Sequence, residues 1–239
     1  MSFHLHRRYL RRYVESGDHI LEAGAGAGRF TIELARLGAN ITVGDVSPVQ
    51  LRLNREKVAE VGCEQRIVDR VRLDITDLSR FPDRSFDGVV CYGGPLSYVF
   101  DRADDAMAEM LRVTRSGGSV LLSVMSLAGA TRRFLGAIFD LYQEVGIEEV
   151  RRVAATGDQH GVTAPDGDHC HMYRWEELEA LLEPHPCEVV AASAANFLSV
   201  QNQAVLEEVE RDPLSSGRPC WSGRRGSANR VACSTPVPT

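Results

Sequence analysis

Residues 19–30 read HILEAGAGAGRF, and this stretch decides the fold. A short apolar run, His19–Ala23, leads into glycines at every second position, and a helix-length amphipathic segment begins at Arg29. Glycine adopts positive φ easily and leaves the backbone bare for a ligand. The N-terminus of the following helix offers unpaired N–H groups and the positive end of a dipole. A strand, a glycine-rich loop and a helix in this order predict a ligand site at the loop.

The same alternation of apolar runs and amphipathic segments continues along the chain, which predicts an α/β fold. We expect a doubly wound, mainly parallel sheet with helices on both faces, because each strand is followed by a crossover helix. The predicted strands are 19–23, 41–46, 71–74, 86–92, 119–125 and 187–195; the predicted helices are 29–37, 48–61, 101–114, 132–145, 175–182 and 200–211; a turn is predicted at 115–118.

The domain organisation follows from two changes in this rhythm. Residues 127–172 interrupt the alternation after the fifth strand and hold a segment rich in Gly, Asp and His, so we interpret them as an insertion that covers the carboxyl edge of the sheet. Residues 212–239 contain four of the ten prolines and little periodic apolar content. We therefore expect one domain at 1–211 and an irregular C-terminal tail at 212–239.

Composition excludes several classes of function. The chain has 239 residues and a net charge of −6, so no overall positive field attracts nucleic acid. A basic run at residues 6–12 is interpreted as the solvated face of a short helix. No apolar stretch approaches the roughly 20 residues of a membrane span, and none resembles a signal peptide. The six cysteines form no CxxC pair, which favours reduced thiols and a cytoplasmic protein.

Two aspartates strengthen the ligand site. Asp45 ends the second predicted strand, where a carboxylate can accept both hydroxyl protons of a ribose. Asp74 ends the third, where a carboxylate can accept from the exocyclic amine of adenine. Either residue alone could be a helix cap or a strand-end turn. Both at strand ends beside a glycine loop favour a nucleoside.

The spacing of the glycines bears on which nucleoside binds. A dinucleotide site favours G-x-G-x-x-G/A, but counting from Gly24 the third position is Arg29, and the loop instead reads G-x-G-x-G after Glu22. Here the sequence resembles the class I S-adenosylmethionine-dependent methyltransferases of the small-molecule type. The resemblance runs over residues 18–126 and is carried by 22–28, Asp45, 73–75, 85–90 and 111–118. It implies a seven-stranded type of sheet.

The resemblance also implies roles for individual residues. Gly24, Gly26 and Gly28 would lie along the donor's amino-acid part, with Glu22 supporting their loop. Asp45 would bind the ribose and Asp74 the adenine amine. The remaining residues implied to contact S-adenosylmethionine, whose product is S-adenosylhomocysteine, are Val46 and Ile75 at the adenine, Cys91 and Tyr92 beside the methionine portion, and Tyr13 in a lid. Tyr13 could equally pack an N-terminal helix.

The acceptor side is expected at residues 93–98 and in the insertion. His169, His171 and Tyr173 are the candidate catalytic residues, because histidine titrates near neutrality and can take a proton from an oxygen or nitrogen acceptor. A solvated loop with locally bonded histidines is the alternative. His169, Cys170 and His171 lack a second ligand pair, so no metal is expected.

The sequence therefore predicts methyl transfer to a small-molecule acceptor, through an O-, N- or C-nucleophile, by a monomer or homodimer without nucleic-acid or membrane partners. A non-catalytic donor-binding regulator or partner protein is the alternative. An NAD-dependent oxidoreductase is disfavoured by Arg29 and Asp74.

Overall fold

The computed structural model describes residues 2–133, 138, 142–143, 146–160, 169–194 and 229–235. The helices are α1 (Ser2–Tyr13), α2 (Arg29–Leu37), α3 (Pro48–Glu60), α4 (Ala103–Val113), α5 (Leu127–Arg133), α6 (Ile147–Thr156) and α7 (Trp175–Leu182). The strands are β1 (His19–Ala23), β2 (Asn40–Asp45), β3 (Ile67–Arg72), β4 (Phe86–Cys91), β5 (Thr114–Ser123), β6 (Asp158–Gln159), β7 (Cys170–His171), β8 (Cys187–Ala194) and β9 (Asn229–Thr235). The predicted helix at 200–211 lies outside the described residues.

Within this part of the chain, seven strands form one sheet in the order β3-β2-β1-β4-β5-β9-β8, and each neighbouring pair is parallel. The predicted parallel α/β class is confirmed. The chain builds outward from β1 to β3 and then returns to place β4 on the other side of β1. The strand order therefore reverses between β1 and β4, and ligands bind outside the carboxyl ends of strands at such a point.

Two apolar cores cover the two faces of the sheet. On one face, Leu10 of α1 and Leu34 of α2 are fully buried against β1, β2 and β4. On the other, Met107 of α4 and Leu178 of α7 are fully buried against β4 and β5. Burying both faces explains why the strands read as continuous apolar runs. No helix among the described residues is long and apolar enough to cross a bilayer.

The structure corrects three boundaries. The third strand was expected at 71–74 but runs from Ile67 to Arg72, because its pairing with β2 begins at Ile67, at the sheet edge where Val68 and Asp69 are exposed. The turn at 115–118 lies within β5: Phe86 pairs with Thr114 and Gly88 with Ser119, so the intervening residues loop out of the ladder. The tail is not wholly irregular, because β9 inserts between β5 and β8.

Candidate active site

The glycine loop crosses the carboxyl end of β1. The N–H groups of Gly24 and Ala25 both donate to the carbonyl oxygen of Gly44, at 2.8 and 3.0 Å, which fixes the loop to β2. Gly24, Gly26 and Gly28 have φ of +79°, +55° and +94°, and Gly28 is the N-cap of α2. Each of these three positions therefore needs a residue that tolerates left-handed backbone.

The glycines differ in what faces them. A Cβ on Gly24 would overlap the ring of Pro95 and lie 2.8 Å from its Cβ, so Gly24 is required by protein packing. A Cβ on Gly26 would meet nothing within 4 Å. The bare backbone that the sequence predicts for a ligand is therefore found at Gly26.

Asp45 lies beside this open backbone. Its carboxylate accepts from the N–H of Gly26 at 2.7 Å through Oδ2 and from the N–H of Ser47 at 2.8 Å through Oδ1. Each oxygen retains a further acceptor direction. Two fixed backbone donors thus hold the carboxylate in one orientation, in which it can accept a pair of vicinal hydroxyls.

The expected adenine side lies next to Asp45. The N–H of Leu73 donates to the carbonyl oxygen of Asp45 at 3.0 Å, which places residues 73–75 alongside the end of β2. The side chain of Val46 is 61% exposed and offers an apolar surface there. The Asp74 carboxylate is exposed; its Oδ1 accepts from the N–H and hydroxyl of Thr76, as in a strand-end turn, and Oδ2 lies 3.9 Å from Arg102. Ile75 is buried, so its backbone is the part available to a ligand.

A buried network of polar side chains packs against the glycine loop and supports it. The Glu22 carboxyl accepts from the Thr31 hydroxyl at 2.5 Å, and the Asn54 amide donates to the same hydroxyl oxygen at 2.7 Å. Asn54 accepts from Arg70 at 3.2 Å, and Arg70 is paired with Glu64. The first three side chains are at most 2% exposed. Burial, aided by the charge of nearby Asp45, raises the pKa of Glu22 to about 8.

Sequence reasoning placed Glu22 in this support but missed Thr31 and Asn54. Asparagine is a weak helix former and rarely lies in a core. Its position in the middle of α3 was the available sign of a buried hydrogen-bonding role.

Tyr13 lies away from the expected donor site, which corrects its assignment. Phe3 of α1 contacts Phe30 at the start of α2, with ring centroids 5.8 Å apart, so α1 begins at the carboxyl edge of the sheet. Gly17, just past α1, donates to the carbonyl oxygen of Gly38, just past α2. The two helices therefore run in the same direction, and Tyr13 reaches the amino edge. There it stacks on Tyr9, as the alternative interpretation proposed.

Cys91 and Tyr92 lie at the carboxyl end of β4, but both side chains are buried. Cys91 is fully buried, and desolvation raises the pKa of its thiol to about 12, so it stays protonated. The Tyr92 ring contacts His6 and Phe30, with centroids 4.4 and 5.1 Å away. These two residues can therefore offer backbone, rather than side chains, to a ligand at the edge.

Two short strands, β6 and β7, lie near the same edge and carry the candidate catalytic residue His171. β6 and β7 form an antiparallel hairpin in which Asp158 pairs with His171. Met172 and Cys170 are buried with Met125, which anchors the hairpin just beyond β5. The backbone of Tyr173 bonds to Met125 and Leu127, which continues this anchor.

His171 and Tyr173 come together, and His169 lies further along the hairpin. The rings of His171 and Tyr173 are 4.4 Å apart. His171 Nδ1 lies 2.7 Å from Asp158 Oδ1, and Nε2 lies 3.7 Å from Glu177 Oε2. Burial raises the pKa of the Tyr173 phenol, which therefore stays protonated at neutral pH.

His169 is exposed, and its ring lies 5.9 Å from that of His160. The His160 ring stacks on the ring of Phe100, with centroids 5.5 Å apart. Phe100 follows the loop after β4. Phe100 has a φ of +46°, an unusual conformation for a bulky residue that is often found at functional sites. In the described part of the chain, no group of three or more His, Cys, Asp or Glu side chains is arranged to hold a metal.

Residues 20–118 match the methyltransferase domain family. The chain is similar to the ubiquinone/menaquinone biosynthesis C-methyltransferase UbiE of Shewanella halifaxensis, with 31% identity over 150 residues, 59% of this chain and 57% of that protein. It is also similar to the methyltransferase GfsG of Streptomyces halstedii, with 35% identity over 124 residues, 51% of this chain and 42% of that protein. The chain therefore spans only about half the length of these relatives.

A solved S-adenosylmethionine-dependent methyltransferase from Methanosarcina mazei shares the fold. Its TM-score is 0.58 at 21% identity, covering 76% of this chain and 84% of that one. The family match covers β1 to the start of the apolar half of β5, and so includes the glycine loop, Asp45 and Asp74. Residues 20–118 therefore match the methyltransferase domain family, and the fold is the one seen in a solved S-adenosylmethionine-dependent methyltransferase.

Proposed function

We propose that this protein transfers a methyl group from S-adenosylmethionine to a small-molecule acceptor. The observation that carries the proposal is the open backbone at Gly26 beside the fixed carboxylate of Asp45. The names of the curated relatives, which include a quinone-biosynthesis C-methyltransferase, support a small-molecule acceptor.

The residues present fit the donor. Gly26 leaves space along the loop, Asp45 can accept two ribose hydroxyls, and exposed Val46 can cover one face of adenine. When bound, S-adenosylmethionine supplies a methyl group already activated by its sulfonium. The protein must then mainly position the acceptor and exclude water, since well-oriented reactants gain several kcal/mol of the barrier.

The Asp45→Ala variant tests the donor half. We expect its dissociation constant for S-adenosylhomocysteine to rise by about 5- to 150-fold, equivalent to about 1–3 kcal/mol, because charged hydrogen bonds to the ribose are lost. Isothermal titration calorimetry measures this directly. Asp69→Ala, which removes an exposed carboxylate from β3, is the matched control and should bind normally. Equal affinities for wild type and Asp45→Ala would contradict the assignment of Asp45.

On the acceptor side, we propose that His171 takes a proton from the acceptor, with the buried Tyr173 ring packed against it and exposed His169 two residues before it. Asp158 only accepts hydrogen bonds when ionised, so the 2.7 Å contact places the proton of neutral His171 on Nδ1. This leaves Nε2, which lies 3.7 Å from Oε2 of Glu177, as the nitrogen that can accept a proton. Cys170 and Met172, at and just after β7, are packed on Met125 just beyond β5, which supports the interpretation of residues 127–172 as a cap.

Methyl transfer itself is tested by incubating the protein with tritiated donor and a small-molecule extract. We expect His171→Gln to lower the transfer rate by about 10²–10⁴-fold, as loss of a general base does, while its affinity for S-adenosylhomocysteine stays unchanged. His160→Gln, on the same hairpin, is the control. Transfer at the wild-type rate in His171→Gln would refute the catalytic role of His171. Donor binding without any transfer would instead favour a non-catalytic donor-binding protein.

A further inference from the structure

The outer face of α1 carries a cluster of cations that the proposed methyl transfer does not use. His4, Arg7, Arg8 and Arg11 line one cavity of about 190 Å³. Their spacing of three and four residues places them side by side on the helix surface. The opposite face of α1 is apolar and anchors the helix, with Leu10 fully buried.

The charges of this cluster are poorly compensated within the protein. Arg7 lies 2.7 Å from Glu33, but the same carboxylate also binds Arg36 at 3.0 Å. Among the described residues, no carboxylate pairs with Arg8 or Arg11. Like charges three or four residues apart destabilise a helix, and cations near its N-terminus oppose the helix dipole. The first turn of α1 contains no acidic residue to relieve this.

An oxyanion in the cavity would remove these unfavourable interactions. Guanidinium groups bind phosphate through paired, charge-assisted hydrogen bonds, and several arginines favour an anion of more than one charge. The cavity is a small, partly open space of about 190 Å³ between side chains of a single helix. It therefore suits a compact anionic group better than an extended polymer.

We propose that the outer face of α1 binds a phosphate or diphosphate group carried by a small molecule. The net charge of −6 supports a small ligand over nucleic acid or an anionic membrane, because the rest of the surface would repel a large polyanion. The contacts of Phe3 and His6 with Phe30 and Tyr92 place the first half of α1 beside the carboxyl edge.

The test is calorimetric titration of the full chain with inorganic diphosphate and inorganic phosphate at about 0.15 M salt, which screens exposed charges beyond about 8 Å. We expect saturable binding, stronger for diphosphate. Arg8→Gln/Arg11→Gln should lose about tenfold or more in affinity, since charged hydrogen bonds disappear. Arg52→Gln/Arg55→Gln on α3 is the matched control: it removes the same charge at the same spacing and should bind as wild type.

Several outcomes would overturn the proposal. One is the absence of saturable binding, and another is an equal loss of affinity in the α3 control, which would mean unspecific attraction. A third is tight binding of duplex RNA or of vesicles containing an anionic lipid that depends on Arg8 and Arg11 while diphosphate does not bind. Affinity for S-adenosylhomocysteine should stay unchanged in both double variants, so failure here is distinguishable from failure of the methyl-transfer proposal. Single Arg8→Gln, which changes one exposed side chain, should give an intermediate loss.

Discussion

Replacing Glu22 by glutamine is expected to make the protein more stable at neutral and alkaline pH, by an amount that grows with pH. Burial raises the pKa of this carboxyl from 4.5 to about 8 in the folded protein. Below pH 4.5 the group is protonated in both folded and unfolded chains and contributes no pH dependence. Between the two pKa values the unfolded chain loses its proton while the folded chain keeps it, so the free energy of unfolding falls as pH rises.

The size of the effect follows from the same shift. A pKa difference of one unit corresponds to about 1.4 kcal/mol, so the full difference between low and high pH is about 4–5 kcal/mol. The amide of glutamine does not titrate and can still accept from Thr31. The difference in unfolding free energy between Glu22→Gln and wild type should therefore rise between pH 4.5 and 8 and level off above, as measured by urea denaturation at a series of pH values.

Taking the difference in unfolding free energy between Glu22→Gln and wild type cancels the pH dependence that all other titrating groups contribute. Glu56→Gln, an exposed carboxylate of α3, is the matched control and should show a constant difference from wild type. If the curve of Glu22→Gln ran parallel to that of wild type over the whole range, the Glu22 carboxyl would not be protonated in the folded protein at neutral pH.

The second large effect is expected at Gly24. Alanine there adopts a left-handed conformation at a cost of about 1–2 kcal/mol, and its Cβ overlaps Pro95, which adds about 1–3 kcal/mol of overpacking. Gly26→Ala carries the conformational cost without the overlap, because nothing lies within 4 Å of its Cβ. We expect both variants to lose affinity for S-adenosylhomocysteine, but Gly24→Ala to lose much more stability.

A double-mutant cycle isolates the overlap. Pro95→Gly removes the ring, so the combined Gly24→Ala/Pro95→Gly variant should recover about 0.5–3 kcal/mol relative to the sum of the single changes, as contacting residues do. Gly26→Ala/Pro95→Gly should be additive. Thermal and urea unfolding of the three single and two double variants provide the measurement. Additive behaviour of the Gly24 pair would show that the loop moves away from residue 95 at little cost.

Much of the sheet was predictable because its signals are local. The apolar run of β1, the amphipathic period of α2 and the Ser47-Pro48 start of α3 each depend on neighbouring residues, and these elements lie where expected. The strands that were predicted wrongly are defined by backbone pairing between segments that are distant in the sequence. The start of the edge strand β3 is set by its pairing with β2, and β9 is held by hydrogen bonds to β5 and β8 that no local pattern reports.

The residues of the expected site also divide into those with a local sequence signal and those that depend on distant contacts. Gly26 and Asp45 were predicted to lie together because strand-end positions converge on one edge of a parallel sheet, and a hydrogen bond joins them. Tyr13 was placed in a lid by the family resemblance, which does not show which way α1 runs across the sheet. The roles of Thr31, Asn54 and Asp158 depend on hydrogen bonds between distant segments, 9 to 23 residues apart in the chain.

The polar network that supports the glycine loop also links an exposed side chain to a buried one. The Arg70 side chain is only 6% exposed, yet its partner Glu64 is 49% exposed. Loss of that carboxylate would leave a nearly buried guanidinium with an amide as its neighbour, and such groups are costly to desolvate. Glu64 faces water and lies outside the expected ligand site. Selection would nevertheless act against its loss, because its carboxylate stabilises Arg70 and, through Asn54, the network that supports the glycine loop.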